Sequence, residues 1–342
     1  MQSPIKRIVN LLILPALTGI ILGISANPSR LWFLGFVAFI PLLIAAENIL
    51  KAKRTLLLFS FQLFIAQVIF YSWVYLWVLK TANLGFLIGF LIVLPYIVLV
   101  APYILLRQSW SKIAVLYFIS AWLSAEYIQS FYQIGSPFFN LGNNPAASPQ
   151  LIQWYEYTGS GGGSLWILAV NCAIFKTGTA FQNDSKQWIS KSITTLAVLI
   201  LPMIISLLIF RSYEDKGSPS RVLIIHPSTD NRDVKYRVNI YELMDIYLGI
   251  MMPQLENDIE YVVLPETAIT NAGWISDLNN NLVFDRFHER TVSFPDLKLV
   301  TGAIVYEAIP DVEKIKDYNK IPGIRFSKNY NTWYYTYNSA LQ

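Results

Sequence analysis

Seven long apolar runs fill the first 210 positions of this 342-residue chain, near residues 8–25, 31–48, 55–79, 84–106, 113–129, 163–177 and 192–210. A bilayer core is crossed by about 20 apolar residues in helical form, because lipid offers no partner to a backbone group left unpaired in its own segment. The runs predict seven transmembrane helices over residues 1–210, a polar linker over 211–219 and a separate domain over 220–342. The sixth run is short and leans on Gly159-Ser160-Gly161-Gly162-Gly163 for its start. The first follows Lys6 and Arg7 as a cleavable signal peptide would, but six further spans argue for an uncleaved helix.

Charge divides at the same place. Residues 1–210 hold twelve Lys or Arg against four acids (Glu47, Glu126, Glu156 and Asp184), whereas residues 211–342 hold fourteen bases against eighteen acids. The overall charge of +4 thus belongs to the apolar half, and the net-acidic remainder excludes a nucleic-acid partner. Ten cations (Lys6, Arg7, Lys51, Lys53, Arg54, Arg107, Lys112, Lys176, Lys186 and Lys191) fall in alternate loops, and the intervening loops hold only Arg30 and Lys80. Positive loops stay cytoplasmic, so the N-terminus is expected inside and residues 211 onward on the outer face. Cys172 is the one cysteine, so no intrachain disulfide forms; it lies in an apolar run and reads as a small buried hydrophobe.

Two features of this half are not plain lipid-facing helix. Glu126 lies within the fifth run, where a carboxylate is costly and turns toward protein or water; it reads as a substrate-path residue, a helix-positioning residue or an interfacial Glu near a helix end. Residues 130–163 carry one charge, Glu156, and many aromatics, Asn and Gly, which suggests an interfacial, partly re-entrant element. Phe131, Tyr132, Phe138, Phe139, Trp154 and Tyr155 suit headgroup depth. That placement fits either lipid access, with Phe138, Phe139 and Glu126 touching substrate, or ordinary aromatic anchoring.

Past the linker the pattern becomes α/β. Residues 221–226 read as a buried strand, 234–256 as a helix with Tyr241, Met244, Tyr247, Leu248 and Met251 on one face, and 260–264 as a second strand closed by Pro265. A helical stretch (274–290), a strand (297–304), a polar loop (307–328) and a strand-like run (333–341) follow. Sites in such sheets gather at the carboxyl ends of strands, where Glu266 falls, with His226 one strand earlier. Glu266 can serve as a general base or as a structural acceptor capping the next helix. No spacing around His226 or His288 matches a metal site, and neither a metal nor an organic cofactor is indicated.

Three stretches carry a resemblance. They are Gly135-Ser136-Pro137-Phe138-Phe139-Asn140-Leu141-Gly142-Asn143, the segment Pro149-Gln150-Leu151-Ile152-Gln153-Trp154 through Gly159, and Val262-Val263-Leu264-Pro265-Glu266-Thr267-Ala268. Thr301-Gly302-Ala303 and Tyr337-Asn338-Ser339-Ala340 follow in order. The whole chain resembles bacterial apolipoprotein N-acyltransferase, a multi-spanning inner-membrane enzyme with a nitrilase-like carbon–nitrogen hydrolase domain, an αββα sandwich, on the outer face. The resemblance implies ping-pong transfer of an acyl chain from a phospholipid to a cysteine thiol, then to the free amino group of a diacylglyceryl-cysteine lipoprotein. A Glu-Lys-Cys triad is implied, and Glu266 matches its Glu.

The chain departs from that pattern. The family's Lys lies in a Lys-x-x-Leu-Val-Pro-Phe-Gly-Glu-like segment after the Asn-Ser-Ala strand, its Cys and eighth helix lie further on, and all are expected beyond Gln342. Lys298, Lys314, Lys316, Lys320 and Lys328 precede that strand, and His226 replaces a Gln-Pro-like strand end. The expectation is a C-terminally truncated member whose 342 residues alone transfer no acyl chain. The alternative is a non-catalytic lipid- or lipoprotein-binding homologue; a transporter or a membrane-tethered amidase fits the residues less well.

Overall fold

The computed structural model describes residues 4–26, 31–76, 85–131, 137–183, 185–227, 237–310 and 323–342. Arg30, Lys80, Tyr132, Gly135, Ser136, Lys314, Lys316 and Lys320, and the start of the helix expected from residue 234, lie outside them. The chain forms two compact units, Met1–Glu214 and Asp215–Gln342.

The first unit is helical. Helix α1 spans Pro4–Ala26 with a π-helical stretch at Val9–Ile13, α2 spans Trp32–Ile49 with a 3₁₀ opening at Trp32–Val37, and α3 is Thr55–Val74. Then come α4 (Gly85–Val100), α5 (Tyr103–Ser109), α6 (Ser111–Gln129), α7 (Tyr155–Asn183) and α8 (Ser185–Ser212). Among the described residues, six helical segments are long and apolar enough to cross a membrane: Pro4–Ala26, Trp32–Ile49, Thr55–Val74, Leu91–Ser109, Tyr155–Phe181 and Gln187–Ser212. The run at 113–129 does fold as a helix, α6, but it is less apolar, since Lys112, Glu126 and Gln129 interrupt it. Apolar side chains such as Leu57, Leu116, Ile193 and Leu208 lie on the outside of the bundle, each more than half exposed. That is the reverse of a water-soluble surface and the pattern of a lipid-facing one.

Inside the bundle, aromatic rings interlock. Phe39 packs edge-on against Phe118 and Trp122, with centroids 5.8 and 4.6 Å away. Where α2 passes from 3₁₀ to α geometry, the fully buried Asn171 of α7 adds two bonds to the backbone. Its Oδ1 accepts from the Phe39 N–H at 2.9 Å and its Nδ2 donates to the Gly35 carbonyl at 2.8 Å. Cys172, next in sequence, is 5% exposed within this core. Helix α7 begins at Tyr155, eight residues before the run that announced it, and carries a break at Gly159, whose φ of 63° is left-handed.

Among the described residues, the second unit is a mixed six-stranded sheet with two α-helices. Its elements are β1 (Arg221–Ile224), α9 (Ile240–Met251), β2 (Ile259–Val263), β3 (Ile269–Trp274), α10 (Leu282–Thr291), β4 (Lys298–Ala308), β5 (Arg325–Ser327) and β6 (Thr332–Leu341). The strand order is β1-β2-β4-β6-β5, with β3 also paired to β4. Strands β1, β2, β3 and β4 are parallel neighbours; β6 runs antiparallel to β4 and β5 antiparallel to β6. Asn239 and Asn281 start the two helices, each side chain accepting a backbone N–H two residues ahead at 2.9 Å. Leu243, Met244, Tyr247 and Met251 of α9 and Val283 and Phe287 of α10 join Val262, Ala303 and Val305 in one core. Each large apolar side chain buried there contributes about 2 kcal/mol.

Three expectations change here. Strand β3 falls where none was expected, because Asn271 and Gly273 hide it and pairing with β4 makes it. The stretch expected to be helical from 274 is a 3₁₀ turn (Ile275–Asn280) followed by α10. The loop expected from 307 starts later, since β4 runs to Ala308 against β6, and it contains β5.

Candidate functional site

Strands β2 and β3 lie along the same edge of β4 and run in the same direction: Tyr261–Val263 pair with Lys298–Val300, and Ile269–Trp274 with Ala303–Tyr306. They amount to one strand interrupted by a turn, and that turn carries Glu266. Leu264 keeps the ladder for one more bond, its N–H donating to the Val300 carbonyl at 2.9 Å. Pro265 has no N–H to continue it, and the chain leaves the sheet. The turn closes when the Ala268 N–H donates to the Pro265 carbonyl at 3.2 Å, while the Tyr247 hydroxyl of α9 holds the Ala268 carbonyl at 3.1 Å.

The turn is strained as well as tied. Thr267 has a φ of 50°, a region a β-branched residue occupies at a cost of about 1–3 kcal/mol. Gly302 of β4 lies directly beneath. A Cβ at that position would stand 2.6 Å from the Thr267 nitrogen and 2.7 Å from the Glu266 Cα, so only glycine lets β4 pass so close. The Glu266 side chain is exposed, and its Oε1 accepts from the Asn338 amide of β6 at 2.5 Å. Asn338 pairs with Ile304, which places it one strand across the sheet from the turn. The carboxylate is thereby fixed in direction yet open to a reactant, which suits proton transfer. Asn338→Ala is expected to lower any activity that uses Glu266 by about fivefold, the effect of one hydrogen bond to an exposed charge, as measured in steady-state kinetics.

Of the other residues singled out in sequence, His226 follows β1, whose carboxyl end lies beside that of β2, so His226 and Glu266 share one edge of the sheet. His226 is exposed. Glu126, Phe138 and Phe139 lie in the membrane unit. Glu126 is 3% exposed, and its Oε1 accepts from the Trp122 indole at 3.1 Å and the Leu141 N–H at 2.9 Å. The next N–H, that of Gly142, donates to Ser164 of α7 at 2.8 Å. These bonds dock the segment after Phe139 onto α6 and α7. Phe139 packs on Tyr75 at 5.3 Å between centroids, and Phe138 is 78% exposed.

This arrangement carries a prediction. Glu126→Ala strands two buried donors and lowers stability by about 3 kcal/mol, whereas Glu126→Gln keeps an acceptor oxygen and costs about 1 kcal/mol. Thermal unfolding in detergent reads both. A Gln variant as stable as the parent but inactive would place Glu126 in the chemistry instead.

Reading residues in isolation missed Gly302 and Asn338. Their stretches were visible only as an ordered series after the Glu266 turn, and nothing local shows that β4 and β6 bring them to it.

These units define a polytopic membrane protein joined to an α/β domain that presents one firmly held carboxylate. Residues 18–173 match the apolipoprotein N-acyltransferase N-terminal domain. An apolipoprotein N-acyltransferase of Geobacter metallireducens is 26% identical over 241 residues, covering 67% of this chain and 45% of the relative. The chain is thus similar to apolipoprotein N-acyltransferases, and it spans less than half the length of that relative.

Proposed function

We propose that this protein acts in lipoprotein N-acylation, moving an acyl chain from a phospholipid donor to the amino group of a diacylated lipoprotein, with Glu266 as proton acceptor. The carrying observation is the Glu266 turn, held by Gly302 and Asn338 in a chain whose membrane half matches the N-terminal domain of such enzymes. A thiol of ordinary pKa, about 8.5, is mostly protonated near neutral pH and needs a base before it attacks an ester. That thiol is the one the resemblance implies and is not among residues 1–342; Glu266 would take its proton as the sulfur–acyl bond forms and return it to the departing lysophospholipid oxygen. The resulting thioester remains reactive enough for the lipoprotein amine to displace the sulfur.

Cys172 is not the thiol in this reading, since it is buried in a membrane helix. The nitrilase-like fold of the domain and the roles of Phe138, Phe139, Glu126 and His226 in binding substrate belong to the same proposal. So does the orientation. The cationic loops favour a cytoplasmic N-terminus, with the α/β domain on the outer face of a bacterial inner membrane.

The test is transfer of a labelled acyl chain from phospholipid vesicles to a diacylated lipopeptide by the protein expressed from its own gene. Transfer supports the reading. Lipopeptide binding with no transfer would move the protein to the non-catalytic binding alternative.

A further inference from the structure

The α/β unit holds a second feature that the Glu266 turn does not use. Trp274 ends β3 and pairs with Tyr306 of β4; Tyr334 of β6 stands two residues from Thr336, the partner of Tyr306. The three rings therefore share one face of three adjacent strands, and Tyr330, in the turn before β6, adds a fourth. Trp274 meets Tyr330 at 5.4 Å and 83°, Tyr334 at 5.6 Å and 76°, and Tyr306 at 5.9 Å and 62°. Tyr306 and Tyr334 are 5.5 Å apart at 89°. The rings line a cavity of about 350 Å³ together with Ile240, Tyr241 and Val283 and the polar residues Asn271, Asn281 and Ser327.

Rings set near right angles form the corner of a box. A box of π faces, each carrying negative potential, suits a compact cation. Residues 211–342, with eighteen acids against fourteen bases, add a field of the same sign. Arg325 is the opposing charge; it pairs with Tyr334 across β5 and β6, and its field reaches Tyr306.

We propose that this aromatic box is a binding site for an organic ammonium group. It is separate from the carboxylate: β3 bulges between Ile269 and Gly273, and Ile269 pairs with Ala303 and Trp274 with Tyr306, which puts Trp274 three residues further along β4, roughly 10 Å at about 3.3 Å per residue. The proposal does not rest on the acyl-transfer reading. An ammonium of this kind is carried by lipid headgroups and by the amino terminus of a peptide.

The whole chain in detergent, titrated with choline and with its uncharged carbon isostere 3,3-dimethylbutan-1-ol, decides the matter by ligand-observed NMR. Choline is expected to bind about tenfold tighter than the isostere, the signature of cation–π attraction. Trp274→Leu should abolish the difference. Tyr330→Leu, at a residue 66% exposed, should weaken choline about fivefold and leave the isostere and the melting temperature unchanged. Arg325→Gln should tighten choline. Whichever of glycerophosphoethanolamine and a short peptide with a free amino terminus displaces choline at the lower concentration identifies the source. Equal affinity for choline and its isostere, no choline binding, or a Tyr330→Leu variant that binds choline like the parent would overturn the proposal.

Discussion

Gly302→Ala is expected to reduce Glu266-dependent activity by about a hundredfold in a protein that still folds. The added Cβ meets the Thr267 nitrogen at 2.6 Å, the Glu266 Cα at 2.7 Å and the Pro265 carbonyl oxygen at 2.8 Å. All three are backbone atoms, so no side-chain rotation relieves the clash. Strand β4 is held on its other edge by eight residue pairs with β6, from Thr301–Leu341 to Ala308–Tyr334. The turn, already strained at Thr267, is the part that yields. A carboxylate displaced by about 1 Å loses its donor from Asn338 and its alignment with the reacting atom, and such a shift costs on the order of 10²-fold. Gly249→Ala is the control: a Cβ there meets nothing within 4 Å, and alanine favours the interior of α9. Kinetics and thermal unfolding of both variants test the claim. Activity of Gly302→Ala within threefold of the parent would show that the turn does not need its present position.

The membrane unit has an equivalent point, where the expected effect falls on folding. The segment Leu141–Ala147 crosses α7 in backbone contact, and a Cβ on Gly142 would stand 1.8 Å from the Ser160 carbonyl oxygen and 2.9 Å from the Ser164 nitrogen. On the facing side, a Cβ on Gly163 would lie 2.9 Å from the Gly142 Cα. This crossing also places the Leu141 and Gly142 N–H groups on Glu126 and Ser164. Gly142→Ala forces the segment off α7 and breaks those two buried bonds together, a loss of about 4 kcal/mol. The variant should appear as aggregate in detergent size-exclusion chromatography. Gly161→Ala, one turn away, meets nothing within 4 Å and should be neutral or slightly stabilising. If both variants run as monodisperse protein of equal melting temperature, the crossing is not what holds the unit together.

How much of this was legible in the chain varied with the physics. Apolar runs report helices well because a membrane leaves the backbone no alternative. They placed the start of α7 late, because Gly159 to Gly163 follow its first turn at Tyr155. Intrinsic propensity marks such a run as loop, but the close approach of Gly142 to Gly163 needs helix without a side chain at that position. In the α/β unit, α9 showed through its apolar face, although its start at the Asn239 cap did not, and β3 did not show, since Asn271 and Gly273 are poor strand residues and only β4 makes them one. Glu266 was found because a strand end followed by Pro-Glu is a local signal. Its partners were not, because Gly302 and Asn338 come from strands 36 and 72 residues away in sequence. The left-handed Thr267 has no signature at all. The aromatic box was hidden in the same way: Trp274, Tyr306, Tyr330 and Tyr334 are dispersed in sequence and meet only across the sheet.

The most direct measurement is acyl transfer from labelled phospholipid to a diacylated lipopeptide, comparing the protein expressed from its own gene with its Glu266→Gln variant. Glutamine keeps the shape of the side chain and its hydrogen bond to Asn338 but cannot take a proton. Loss of at least about a hundredfold in rate, with lipopeptide binding unchanged, is the predicted result for a general base. A Glu266→Gln protein that transfers acyl chains at the parent rate would contradict the assignment.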